Sequence, residues 1–180
     1  MTPQTEAAST THAAQPAVNR SCVAQAATFA NIAPYATLIE PAEDGVAFGA
    51  MDAALHLTGG TPRFYIMKLK KRPMAVTRIT RHLAVTQALA SLNGKRWYVL
   101  LAPPDAPDSV DALPDVRRLQ AFCITGSQAL VLHRSTWHAG PYFEEDEVDF
   151  VNLELSDTNI VDHHTVRLDA TLGLVAHIVV

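Results

Sequence analysis

Residues 84–102 read AVTQALASLNGKRWYVLLA, two apolar-rich runs joined by Asn93-Gly94. Asn-Gly suits a two-residue hairpin turn because both turn positions need a positive φ. Residues 84–92 and 95–102 therefore read as strands flanking a hairpin. The same texture repeats outward. Residues 119–124 and 128–133 flank Thr125-Gly126-Ser127 and read as a second hairpin. Residues 63–70 alternate Tyr65, Met67 and Leu69 with Phe64, Ile66 and Lys68, and residues 74–81 set Val76, Arg78 and Thr80 on one face. Residues 36–40, 148–155, 161–168 and 174–180 give further strands, and residues 103–114 (PPDAPDSVDALP) read as a surface loop. Only residues 22–33, rich in Ala with Phe29 and Ile32 three apart and Pro34 behind them, suggest a helix. Many short strands with regular turns predict an all-β sandwich or barrel with a short N-terminal helix.

Composition narrows the function classes. The 180 residues suit one domain, and 48% apolar against 18% charged residues supports a folded core. A net charge of −4 offers no basic footprint, so nucleic acid is not expected as a partner. The longest apolar runs, such as residues 172–180, are too short to span a bilayer, and no membrane partner is expected. Cys22 and Cys123 cannot build a disulfide framework, and two free thiols suit a reducing, cytoplasmic setting. Residues 1–21 lack the basic start and apolar core of a secretory signal and read as a flexible tail, with a single domain over residues 22–180.

Eight histidines are more than one site uses. Two segments concentrate them: residues 80–87 (TRHLAVTQ) and residues 133–141 (HRSTWHAGP). Residues an even number apart on a barrel strand share a face, so Thr80 and His82 point the same way. Gln87 joins them if the chain turns or bulges between. His138 follows a strand end, where a side chain is aimed at a barrel mouth. His163 and His164 are adjacent and face opposite ways, so they are not expected to form one site. His12, His56 and His177 have no supporting neighbours.

The first segment has the form RHxxxTQ, on Arg81, His82, Thr86 and Gln87. The second has the form HRxxWHxxP, on His133, Arg134, Trp137 and His138, and Asp149-Phe150 follows. In order and spacing these resemble the ureidoglycolate lyase family, also called ureidoglycolate hydrolases, over residues 22–168. Phe29, Tyr35, Ile39 and Glu40 add a fainter echo. The resemblance implies a cupin-like double-stranded β barrel, cleavage of ureidoglycolate to glyoxylate and urea in purine-nitrogen recovery, and a homodimer. That chemistry removes a hydroxyl proton and protonates a leaving nitrogen, tasks for imidazoles. His82, His133 and His138 are the catalytic candidates; Lys68, Gln87, Arg134 and Trp137 are the substrate-binding candidates, with Lys68 or Arg134 on the carboxylate. A divalent metal such as Ni or Zn would take His82, Gln87 and His138. Thr80 stands where the family has an acidic residue, which weakens that metal set. The competing readings are another cupin enzyme on a hydroxy or keto acid, and a non-catalytic small-ligand barrel. They are separated by whether His82 and His138 share an interior cavity with Arg134 or Lys68.

Overall fold

The computed structural model describes residues 17–180. Most of the expected tail, and His12, lie outside that range. The tail's expected end is corrected, because strand β1 already begins in it and runs over Val18–Ala26. β1 lies in parallel register between β8 (Gln120–Ile124) and β13 (Leu174–Val179). Residues 22–26, expected in the helix, are therefore extended: residues 22–23 pair with β13 and residues 24–26 with β8, and this pairing overrides the helical preference of alanine. The helix that remains, α1 (Phe29–Ile32), is one turn. It starts on a reciprocal cap in which Thr28 Oγ1 accepts from the Asn31 N–H and Asn31 Oδ1 accepts from the Thr28 N–H.

The remaining strands are β2 (Ala36–Ile39), β3 (Pro62–Lys70), β4 (Ala75–Val76), β5 (Arg78–Arg81), β6 (Gln87–Ser91), β7 (Trp97–Ala102), β9 (Ala129–Leu132), β10 (Trp137–Tyr142), β11 (Glu147–Leu155) and β12 (His164–Arg167). Short helices α2 (Thr158–Val161) and α3 (Leu168–Leu172) flank β12. The strands form an eight-stranded sheet, β12-β5-β10-β7-β8-β1-β13-β4, and a five-stranded sheet, β2-β9-β6-β11-β3. This is the expected all-β, cupin-like architecture. Residues 74–81, expected as one strand, divide at Thr77: β4 pairs with β13, and β5 with β10 and β12. Among the described residues no helix is long and apolar enough to cross a membrane.

Neither expected hairpin is a hairpin. Asn93 and Gly94 do take φ of 57° and 67°, as their dipeptide demands, but β6 lies in the five-stranded sheet and β7 in the eight-stranded one. β8 and β9 divide in the same way around Gly126. Each turn is a corner between sheets. The turn residues set only the local reversal; burial chooses the strand partners. β7 is buried at every residue. Trp97, Val99 and Leu101 enter the space between the sheets with Phe122, Ile124, Leu130 and Phe150. Tyr98, Leu100 and Ala102 enter a second core with Val76, Leu168, Ala176 and Ile178. Such a strand needs a neighbour on both edges, and β8 and β10 supply them.

Candidate active site

The space between the sheets is packed at one end and open at the other. The open end is a cavity of about 670 Å³ floored by Met67, Leu69, Leu89, Val99 and Leu132. Strand alternation decides what reaches it. On β5, Ile79 turns to the second core while Arg78 and Thr80 turn inward, and His82 continues their face. On β10, Trp137 turns to the second core and His138 turns inward, directly across from Thr80 in the strand register. The His82 and His138 rings lie 5.1 Å apart, and His163 approaches His82 at 5.8 Å.

Both central imidazoles are oriented by main-chain carbonyls. His82 Nδ1 bonds the Asp162 carbonyl, and His138 Nδ1 bonds the Thr136 carbonyl at 3.1 Å. A carbonyl only accepts, so each Nδ1 carries the hydrogen and each Nε2 keeps its lone pair. Asp162 also fixes the loop that carries His82, because its carboxylate accepts from the Leu83 and Ala84 N–H groups at 2.6 and 2.8 Å. Ser135, held at a φ of 66°, donates its N–H to the His82 carbonyl and its hydroxyl to the Pro107 carbonyl, and so ties three loops together. Burial lowers the pKa of His82 below the ordinary histidine value. Burial, reinforced by the neighbouring His82, pushes His138 down to about 3.

Gln87 also lines the cavity, and its amide donates to Glu154 at 2.8 Å. Glu154 is fully buried and accepts in addition from Tyr65 at 3.0 Å and Asn159 at 3.1 Å. Three donors compensate its burial and hold Gln87 in place. Thr80 Oγ1 meets Thr165 Oγ1 at 2.7 Å, so a neutral hydroxyl pair stands beside the imidazoles.

Four expected site residues lie outside the cavity, so the arrangement that separates the competing readings is met only in part: His82 and His138 share an interior cavity, but without Arg134 or Lys68. Lys68 is on the outer face of β3 and pairs with Glu147 at 2.9 Å, because Met67 and Leu69 take the inward positions. Arg134 is exposed in the turn before β10 and donates to the Leu83 carbonyl at 2.9 Å. Trp137 is fully buried in the second core, with its ring 5.0 Å from His164 and the Arg81 guanidinium 4.5 Å from its ring centre. His133 is half-buried at the end of β9, where Nε2 meets Thr37 Oγ1 at 3.2 Å. It links β9 to β2 and does not face His82.

Several cavity residues carried no readable local signal. His163 faces the cavity while His164 packs under Trp137 and accepts from Arg81 Nε at 3.1 Å. Their opposite directions agree with strand alternation, yet His163 still joins the site. Lys70, Arg72 and Arg78 line the cavity, and among the described residues no Asp or Glu side chain does. Arg81 is fully buried and donates to the Ala106 and Ser109 carbonyls, which pins the loop over residues 103–114.

The expected metal set was His82, Gln87 and His138. Among the described residues no group of three or more His, Cys, Asp or Glu side chains is arranged to hold an ion. The set itself offers two imidazoles and a neutral amide, with hydroxyls at Thr80 and Thr165 in place of an anionic ligand. That donor set does not fit a divalent ion well, and no step below runs through one.

The fold and the cavity together define a β barrel of the cupin type with an open cavity between its sheets. The family model described as ureidoglycolate lyase matches residues 19–172, and the chain belongs to that family. The ureidoglycolate lyase of Salmonella typhimurium is 29% identical over 90 residues, 50% of this chain and 52% of that protein. Its counterpart from Salmonella enteritidis is 28% identical with the same coverage. The chain thus spans about half the length of the curated relatives it matches. Among solved structures, a dTDP sugar isomerase from Desulfovibrio desulfuricans is 16% identical, covering 74% of this chain and 85% of that one at a TM-score of 0.43. A mutant oxalate decarboxylase from Bacillus subtilis is 11% identical, covering 61% and 24% at a TM-score of 0.38.

Proposed function

We propose that the protein is a lyase that cleaves ureidoglycolate to glyoxylate and urea. Membership of the family supports this reading. The observation that carries it is the pair His82 and His138, 5.1 Å apart in one cavity with both Nδ1 atoms engaged by carbonyls. Each Nε2 is left as a neutral acceptor.

The substrate carbon bears a hydroxyl and a ureido nitrogen. One Nε2 takes the hydroxyl proton, the oxygen's electrons form the aldehyde C=O, and the C–N bond breaks. A proton from an imidazolium reaches the departing nitrogen, so urea leaves neutral and the proton count closes. The burial that keeps both rings uncharged in the resting protein also makes the transient imidazolium a ready proton donor. Gln87, fixed by Glu154, can bond the ureido group.

The same reading takes the protein as a cytoplasmic homodimer. The edge strand β3 supports the dimer with Phe64 and Ile66 exposed at 70% and 59%. Light scattering at twice the chain mass supports the dimer, and the chain mass alone contradicts it. The activity is tested by supplying ureidoglycolate to purified protein and measuring both products. Urea and glyoxylate released one for one, above the uncatalysed rate, are expected; folded protein that releases neither contradicts the proposal.

A further inference from the structure

The cavity is electrically lopsided. Its wall contains Lys70, Arg72 and Arg78 and, among the described residues, no carboxylate side chain. Lys70 ends β3, Arg72 follows it and Arg78 opens β5, so the three cations lie on one stretch of chain that crosses from one sheet to the other beside the cavity. None of the ion pairs among the described residues uses them. Glu147 pairs with Lys68, Glu145 with Lys95, Asp105 with Arg118, Asp115 with Arg117 and Asp169 with Arg167.

The two arginines are placed differently. Arg72 is pre-set: its guanidinium lies 4.1 Å from the centre of the Tyr142 ring, and Nη2 donates to the Pro141 carbonyl at 3.2 Å. Those contacts fix the plane of the fork and leave other N–H groups for a ligand. Arg78 shares the inward face of β5 with Thr80, one strand repeat or about 7 Å further along. Thr80 in turn sits opposite His138. A cationic end and a neutral imidazole end therefore face the same space.

We propose that Arg72 and Arg78 form a carboxylate-binding subsite that selects small 2-hydroxycarboxylates and turns their hydroxyl-bearing carbon toward His82 and His138. The identity of the turnover substrate rests on the lyase reading; the anion subsite does not. A guanidinium fork matches a carboxylate in two parallel hydrogen bonds, and charge assistance makes them stronger than neutral ones. The subsite takes over the role that alternation denies to Lys68 and turn geometry denies to Arg134.

Titration calorimetry with glycolate and with its neutral counterpart glycolamide tests the subsite without requiring turnover. Wild-type protein is expected to bind glycolate about tenfold to a hundredfold more tightly than glycolamide, the range for a charge-assisted hydrogen bond. Arg72→Gln and Arg78→Gln are each expected to remove about tenfold or more of that preference, while Lys68→Gln and Arg134→Gln keep it. With ureidoglycolate, the two cavity variants should raise KM more than they lower kcat. Equal binding of glycolate and glycolamide by the wild type overturns the subsite, and that measurement needs no variant to fold. Unchanged glycolate affinity in both folded cavity variants overturns it too. Glycolate preference without urea release would leave the subsite standing and remove the lyase reading. Urea release with an unmoved KM in both variants would do the reverse.

Discussion

His82 and His138 differ from a solvent-exposed histidine in two respects that act together. Each Nδ1–H is spent on a main-chain carbonyl, and each ring sits where charge is poorly solvated. A base works in its deprotonated form, so lowering its pKa extends activity toward acid. The acid limb of kcat/KM is expected to fall at a pH below 6.5, the ordinary histidine value. A pH–rate profile checks this, and a half-maximal point at or above 6.5 would contradict it. At this scale the sequence was legible where position and residue type coincided. Alternation aimed Thr80 and His82 the same way, and the second motif singled out His138. The same rule excludes Lys68, since Met67 and Leu69 hold the inward face. Asp162, which organises the His82 loop, and His163, which approaches the His82 ring, lie about 80 positions away, and the pairing of β12 with β5 brings them to it. No local pattern encodes that meeting.

At the scale of elements, Asn93-Gly94 and Thr125-Gly126-Ser127 were legible as turns and misleading as hairpins. Turn chemistry is local, but the choice of strand partner depended on the two-sided burial of β7. The unbroken run WYVLLA carries that information in its lack of alternation. The two corners also press on each other. A Cβ on Gly126 would overlap the main chain of Gly94, which has no flexible side chain to move aside. Gly126→Ala is expected to cost about 1–3 kcal/mol, a fall of roughly 3–10 °C in melting temperature for a chain of this size. Thermal unfolding followed by circular dichroism measures it, and an unchanged midpoint would show that the corners can separate freely.

Across the whole molecule, the barrel is divided between a packed end that holds the sheets together and an open end that holds the imidazole pair. Leu89, Val99 and Leu132 belong to both, so the cavity floor is also the edge of the core. The imidazole pair is thereby mounted on rigid strands and on loops tied by Asp162, Ser135 and Arg81, a setting that keeps reacting groups aligned. Composition and turn pattern foretold the barrel. They could not foretell which end would remain open, because that depends on side chains from both sheets. In the proposed function His82 and His138 move the protons of ureidoglycolate cleavage. The most direct measurement is the rate of glyoxylate formation by wild type, His82→Gln and His138→Gln, each shown to be folded by its melting curve. Each substitution is expected to lower kcat by about a hundredfold or more, the range for losing a general acid–base group. Variants that turn over within a few-fold of wild type would contradict it.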